Sequence, residues 1–107
     1  IRFSHSAEIS FDKNQNIAKL DFDKITFPLK LRRWQNGDRF IPLGMCNFKK
    51  VSDFFIDEKY SLLDKQMQWI LCSKNDIIWI VGNRIDDRFK INTDTKKVYI
   101  AEILKQD

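Results

Sequence analysis

The 107 residues predict an α+β domain with a largely antiparallel sheet and two short helices inserted mid-chain. Three observations carry this reading. Apolar and polar residues alternate towards both ends of the chain, the apolar spacing switches to three and four after Lys49, and Ile77 to Val81 is a continuous apolar run of strand length. The length suits one core. Hydrophobic residues make up 43% of the chain, enough apolar surface to offset the entropy of folding, so a disordered tail is excluded.

The opening residues "IRFSHSAEIS" run straight into strand-like alternation without a leader or an initiating Met, which predicts a domain cut from a longer protein. Ala7 to Asp12 and Ala18 to Phe22 read as strands, the second placing Ala18, Leu20 and Phe22 on one face. The polar stretch Asp12 to Asn16 between them predicts a hairpin. Phe27, Leu29 and Leu31 alternate with Pro28, Lys30 and Arg32, and the proline assigns this strand to an edge or a strand start.

"RWQNGDRFIPLGMCNF" then holds two of the three glycines and one of the two prolines, so the backbone turns more than once without regular pairing. Val51, Phe54 and Phe55 stand at helical spacing, with Lys49, Lys50, Asp53 and Asp57 on the other side, and this helix should stop before Glu58. Ser61 and Asp64 form a capping arrangement for a second helix whose apolar stripe is Leu62, Leu63, Met67 and Ile70. Ile77 to Val81 predicts a central strand covered on both faces, and Val98 to Leu104 a final strand.

Several function classes find little support. No apolar run approaches the roughly 20 residues that span a bilayer, so a cytoplasmic protein with no membrane partner is expected. Cys46 and Cys72 lack zinc spacing and a second pair, which favours free thiols. Gly37, Gly44 and Gly82 are too widely separated to cradle a nucleotide phosphate, and the lone His5 has no triad around it. Asp53 with Asp57, and Asp86 with Asp87, each neighbour basic residues, so ion pairing accounts for them better than a metal does. No catalytic residue and no metal site is expected.

The net charge of +4 and a pI near 9.1 bias the chain towards anionic partners. Arg32, Arg33, Arg39, Lys49, Lys50 and Lys59 crowd the irregular stretch, and Arg84, Arg88 and Lys90 in "NRIDDRFK" would join them if the loops converge. By composition alone a solvated surface is favoured over an RNA site, because only six of the 19 basic residues are Arg. Of the interleaved aromatics, Phe54 and Phe55 are assigned to the core, and only Trp34 is left as a candidate contact.

As one string, "RRWQNGDRFIPLGM…KKVSDFFIDEK" followed by "WIVGNRIDDRFK" resembles the C-terminal domain of bacterial tRNA(Ile)-lysidine synthetase, with the match running over about residues 28 to 95. Asn47 departs from the glycine expected in many relatives. The resemblance implies an enzyme that uses ATP, with Mg, to activate the wobble cytidine of tRNA(Ile) and joins lysine to it. ATP and lysine would be used by the N-terminal catalytic domain, a partner of this one, and residues 1 to 107 would form a non-catalytic domain without a cofactor that grips the acceptor region of tRNA(Ile). On matched positions the implied RNA contacts are Arg33, Arg39, Lys49, Lys50, Arg84 and Arg88, with Asp53 and Asp57 orienting them. The rival expectation is a bracing or self-association domain whose basic residues are solvated.

Overall fold

The computed structural model describes residues 1–7 and 14–104. Among these the chain forms three layers. The first is an antiparallel sheet in the order β1 (Arg2–Ser6), β9 (Val98–Glu102), β2 (Ile17–Asp21). The second, also antiparallel, has the order β3 (Leu29–Arg33), β6 (Trp69–Ser73), β7 (Asp76–Ile80), β8 (Arg84–Ile85). A two-stranded ribbon of β4 (Arg39–Phe40) and β5 (Lys49–Lys50) leads into the third layer, α1 (Val51–Asp57), after which α2 (Leu62–Met67) follows.

The second sheet is buried on both faces because its two middle strands are apolar almost throughout. One face packs Leu71, Ile78 and Trp79 against Ala18, Leu20 and Ala101 of the first sheet. The other packs Ile70, Cys72, Ile77 and Ile80 against Val51, Phe54 and Phe55 of α1, with Phe40 inserted from β4. A β-bulge divides the load: Leu71 pairs with Trp79 and Cys72 with Ile77, so Ile78 is the extra residue. Ile78 and Trp79 therefore both serve the first core while their neighbours serve the second. The antiparallel α+β architecture, the central strand and α1 ending at Asp57 are as the pattern predicts.

Two expectations change. The stripe of α2 is not a core face: Leu62, Leu63 and Met67 are 72%, 65% and 62% exposed, and the helix buries no residue. What holds this short helix is the capping box, with Asp64 N–H donating to Ser61 and Ser61 N–H to Asp64, together with the Arg33 guanidinium donating to the Met67 carbonyl. Ile70 belongs to β6 instead. The buried Gln68 amide donates to the carbonyls of Trp69 and Val81, which draws the chain out of the helix and into the sheet. Finally, the strand predicted from Ala7 to Asp12, and with it the hairpin, lies almost wholly outside the described residues. The described partner of β2 is β9.

Candidate nucleic-acid interface

The irregular stretch is held at each end by a carboxylate. Asp38 receives both arms of the Arg32 guanidinium, at 2.8 and 2.9 Å, and the Gln35 N–H at 2.7 Å. Gly37 precedes it with φ +93°, a left-handed turn that an L side chain rarely adopts, and this turn delivers Asp38 to Arg32. Burial pushes the Asp38 carboxyl up, but the Arg32 fork and the Gln35 N–H more than offset that, so it is held below the usual carboxylate range.

At the far end stands Asp86, fully buried. Its carboxylate accepts from the Ile41 N–H at 2.9 Å, the Arg88 N–H at 2.8 Å, and Nε and Nη2 of Arg88 at 3.0 Å each. A buried charge is tolerable only when paired and hydrogen-bonded, and Asp86 has both. Beside it the Asp87 N–H donates to the Ile41 carbonyl. The Gly44 N–H donates to the Asp87 carboxylate, and this bond, with the Lys90 ammonium, holds that carboxyl low. The loop Ile41 to Gly44 is thereby stitched to Ile85 to Asp87, and the two basic segments converge.

They meet at Phe48. Its ring is half exposed, with the Arg39 guanidinium 4.7 Å and the Arg88 guanidinium 4.9 Å from its centre. Arg39 stands directly opposite Lys50 in the β4–β5 ribbon, and both are exposed. Neither has a carboxylate partner among the described residues. Like charges directly opposite on a ribbon repel one another. An open recess of about 500 Å³ adjoins them, with Phe48, Met45 and Ile56 as its apolar part and Lys50, Asp53 and Asp57 among its polar groups.

The other predicted residues are placed differently. Lys49 is ion-paired with Asp57, whereas Asp53 makes no ion pair among the described residues. Arg84 lies 3.9 Å from Glu58 and 5.2 Å from the Phe54 ring centre, at the C-terminal end of α1. Arg88 is committed inward to Asp86 and, at 3.3 Å, to Asp76. Arg33 is apart from the rest, its guanidinium over the Trp69 ring at 3.6 Å. Trp34 packs edge-on against Phe55 at 5.1 Å, whereas the exposed ring between Arg39 and Arg88 is Phe48. Its position directly before Lys49 and Lys50, outside the helical spacing of Val51, Phe54 and Phe55, is the signal that marks it. Asn47 needs no left-handed backbone, since outside glycine only Lys59 and Lys74 have positive φ among the described residues.

Among the described residues no three His, Cys, Asp or Glu side chains gather as a metal site, and no helix is long and apolar enough to cross a membrane. The profile of the family described as TilS substrate C-terminal domain matches residues 29–102. The tRNA(Ile)-lysidine synthase of Parabacteroides distasonis is 50% identical over 97 residues, covering 91% of this chain and 22% of that protein. The tRNA(Ile)-lysidine synthase of Bacteroides thetaiotaomicron is 42% identical over 92 residues, covering 86% and 22%. The chain thus spans about a fifth of the length of these curated relatives. A crystal structure of a TilS C-terminal domain superposes with a TM-score of 0.79 at 18% identity, covering 92% of this chain and 77% of that one, which shows the fold. An N-terminal fragment of the phenylalanyl-tRNA synthetase beta-subunit from Pyrococcus horikoshii superposes with a TM-score of 0.68 at 25% identity, covering 78% and 26%.

Proposed function

The chain belongs to the TilS substrate C-terminal domain family, and from that membership we propose that it is the part of a tRNA(Ile)-lysidine synthase that holds tRNA(Ile) by its acceptor region. In the whole enzyme, ATP with Mg would activate the wobble cytidine and lysine would be joined to it, both in the N-terminal catalytic part. This domain contributes grip and no chemistry.

The observation that carries the reading is the Arg39–Lys50 pair. Two cations opposite each other, without carboxylate partners among the described residues, repel, and an anion between them relieves this; a phosphate of an RNA backbone has the charge and the acceptor oxygens to do so. Lys49 and Arg84 flank α1 and exchange an exposed carboxylate for phosphate at little cost, because surface ion pairs are worth about 1 kcal/mol or less. Arg88 supports Phe48 from within, and Arg33 adds a cation near α2.

Filter binding of the domain to tRNA(Ile) across a salt series tests this. About four neutralised phosphates give a log–log slope near −3, which is roughly a 60-fold loss between about 50 and 200 mM salt. A slope near zero removes RNA from the reading.

A second reading has one observation in its favour. The exposed Leu62, Leu63 and Met67 on α2 form an apolar face suited to bracing against the catalytic part or to self-association. Sedimentation of the domain alone, and with the catalytic part, distinguishes these two.

A further inference from the structure

A second group of rings lies outside the Phe48 neighbourhood, with Phe3 and Tyr99 on the first sheet and Phe22 and Phe27 in the chain between β2 and β3. Phe3 stands opposite Ala101 and His5 opposite Tyr99, so both leave the sheet on the face that Ala101 and Tyr99 turn towards the core. Both are nevertheless exposed, which means that the second sheet stops short of β1. Aromatic side chains fill the ledge that results. Phe3 stacks on Tyr99 with centroids 5.8 Å apart, Phe27 meets Tyr99 edge-on at 5.3 Å, and Phe22 lies 5.4 Å from Phe27 and 6.1 Å from Tyr99. Phe3 and Phe27 remain 44% and 45% exposed.

The ledge carries cations as well as rings. The Lys97 ammonium sits 4.2 Å from the centre of the Phe22 ring, and Lys96 beside it is exposed and makes no ion pair among the described residues. Of the nearby carboxylates, Glu102 is held by Arg2, and Asp21 accepts from Thr95 and the Asp23 N–H. Asp23 and Asp94 are the exposed carboxylates closest in the chain, and neither is ion-paired with Lys96 or Lys97 among the described residues. The contrast with α2 is chemical: Leu62, Leu63 and Met67 offer aliphatic bulk, whereas this ledge offers π-faces beside an ammonium group.

We infer that the ledge of Phe3, Phe22, Phe27 and Tyr99 is a stacking site for unpaired nucleotides of RNA, an inference that rests on the RNA reading of the domain. Aromatic rings present π-faces on which any base stacks, and the two exposed rings, Phe3 and Phe27, offer no hydrogen bond to a base edge, so stacking on them does not read sequence. Lys97, whose ammonium stands over Phe22, is the cation placed to meet a backbone phosphate of such a strand. Base-paired nucleotides are excluded, because their faces are already stacked on one another. The domain then has two modes of contact: cations around Phe48 for a backbone, and the ledge for an unpaired end.

The test uses the 107-residue protein with a single-stranded RNA hexamer carrying 2-aminopurine and, separately, a blunt-ended RNA hairpin. At about 200 mM salt, where the phosphate contribution is weakened, the hexamer is expected to bind with a change in 2-aminopurine fluorescence. Phe3→Leu with Phe27→Leu keeps apolar bulk and removes the exposed π-faces. It is expected to weaken the hexamer about 5- to 150-fold for each base that loses its stack, with hairpin affinity and circular dichroism unchanged. Phe27→Tyr, which keeps the ring, should retain the affinity. If the Leu variant binds the hexamer like the parent while Arg39→Ala with Lys50→Ala still weakens the hairpin, the ledge is not a nucleotide site and the RNA reading stands. If the parent binds neither RNA, both fall. If the Leu variant alters the sedimentation of the protein alone, a second copy covers the ledge and the inference is overturned.

Discussion

Asp86→Ala is the substitution that most sharply separates a structural clamp from an RNA contact. Asp86 is fully buried and accepts four hydrogen bonds, two from backbone N–H groups and two from the Arg88 guanidinium. Removing it strands the Ile41 and Arg88 N–H groups and leaves a guanidinium whose side chain is only 33% exposed. Breaking a buried pair by deleting one partner costs about 3 to 5 kcal/mol. Partial hydration of Arg88 puts the expected loss towards the lower figure, near 3 kcal/mol, against a total of about 5 to 15 kcal/mol for a small domain. Urea unfolding followed by tryptophan fluorescence reads it directly. With a slope of about 1 to 3 kcal/mol/M, the midpoint falls by at least about 1 M. Arg88→Ala should also destabilise, because it leaves Asp86 buried without its cation. A midpoint unchanged in both variants, with tRNA affinity lost in Arg88→Ala, would refute the clamp and return Arg88 to the RNA.

Phe54→Ala empties a site between Phe40, Phe55 and the second sheet and should cost about 3 to 5 kcal/mol in the same unfolding assay. Lys50→Ala, on an exposed residue without an ion pair among the described residues, should stay within about 0.5 kcal/mol of the parent. Acid titration of stability has a defined sign: Asp38 and Asp87 are both held below the ordinary value of 3.8, so their contribution is complete above that value and lost as pH falls through the lowered range. Asp38→Asn should flatten the acid limb of the stability–pH curve, and an unaltered limb would contradict it. Calorimetry with ATP should give no saturable binding to this domain, and micromolar binding would place a nucleotide site where none is proposed.

Much of the fold is legible because local and global demands agree. Val51, Phe54 and Phe55 sit at helical spacing and do face a core, and Ser61 with Asp64 does form the capping box. The pattern misleads where tertiary contacts decide. Leu62, Leu63 and Met67 have helical spacing, yet spacing alone cannot tell whether a partner surface exists, and here α1 already fills that face of the second sheet. Ile70 reads as the end of the α2 stripe because a short apolar run fits either period; the Gln68 amide bonds that draw it into β6 reach as far along the chain as Val81. At the candidate site the basic segments are legible, but which cations are free is not. Arg88 and Arg39 each have an acidic neighbour in the chain, but the fold commits Asp86 to Arg88 and Asp38 to Arg32, which leaves Arg39 exposed. Phe48 gains its setting from strand pairing and loop stitching that no single segment encodes.

The most direct measurement is the salt dependence of tRNA(Ile) binding by Arg39→Ala with Lys50→Ala, compared with the parent at equal stability. If this opposed cation pair holds phosphate, the double variant binds more weakly and its log–log slope flattens by about 1.5 to 2, the amount expected for two lost phosphate contacts. A folded variant that binds tRNA(Ile) with the affinity and slope of the parent would contradict the assignment of the Arg39–Lys50 face to RNA.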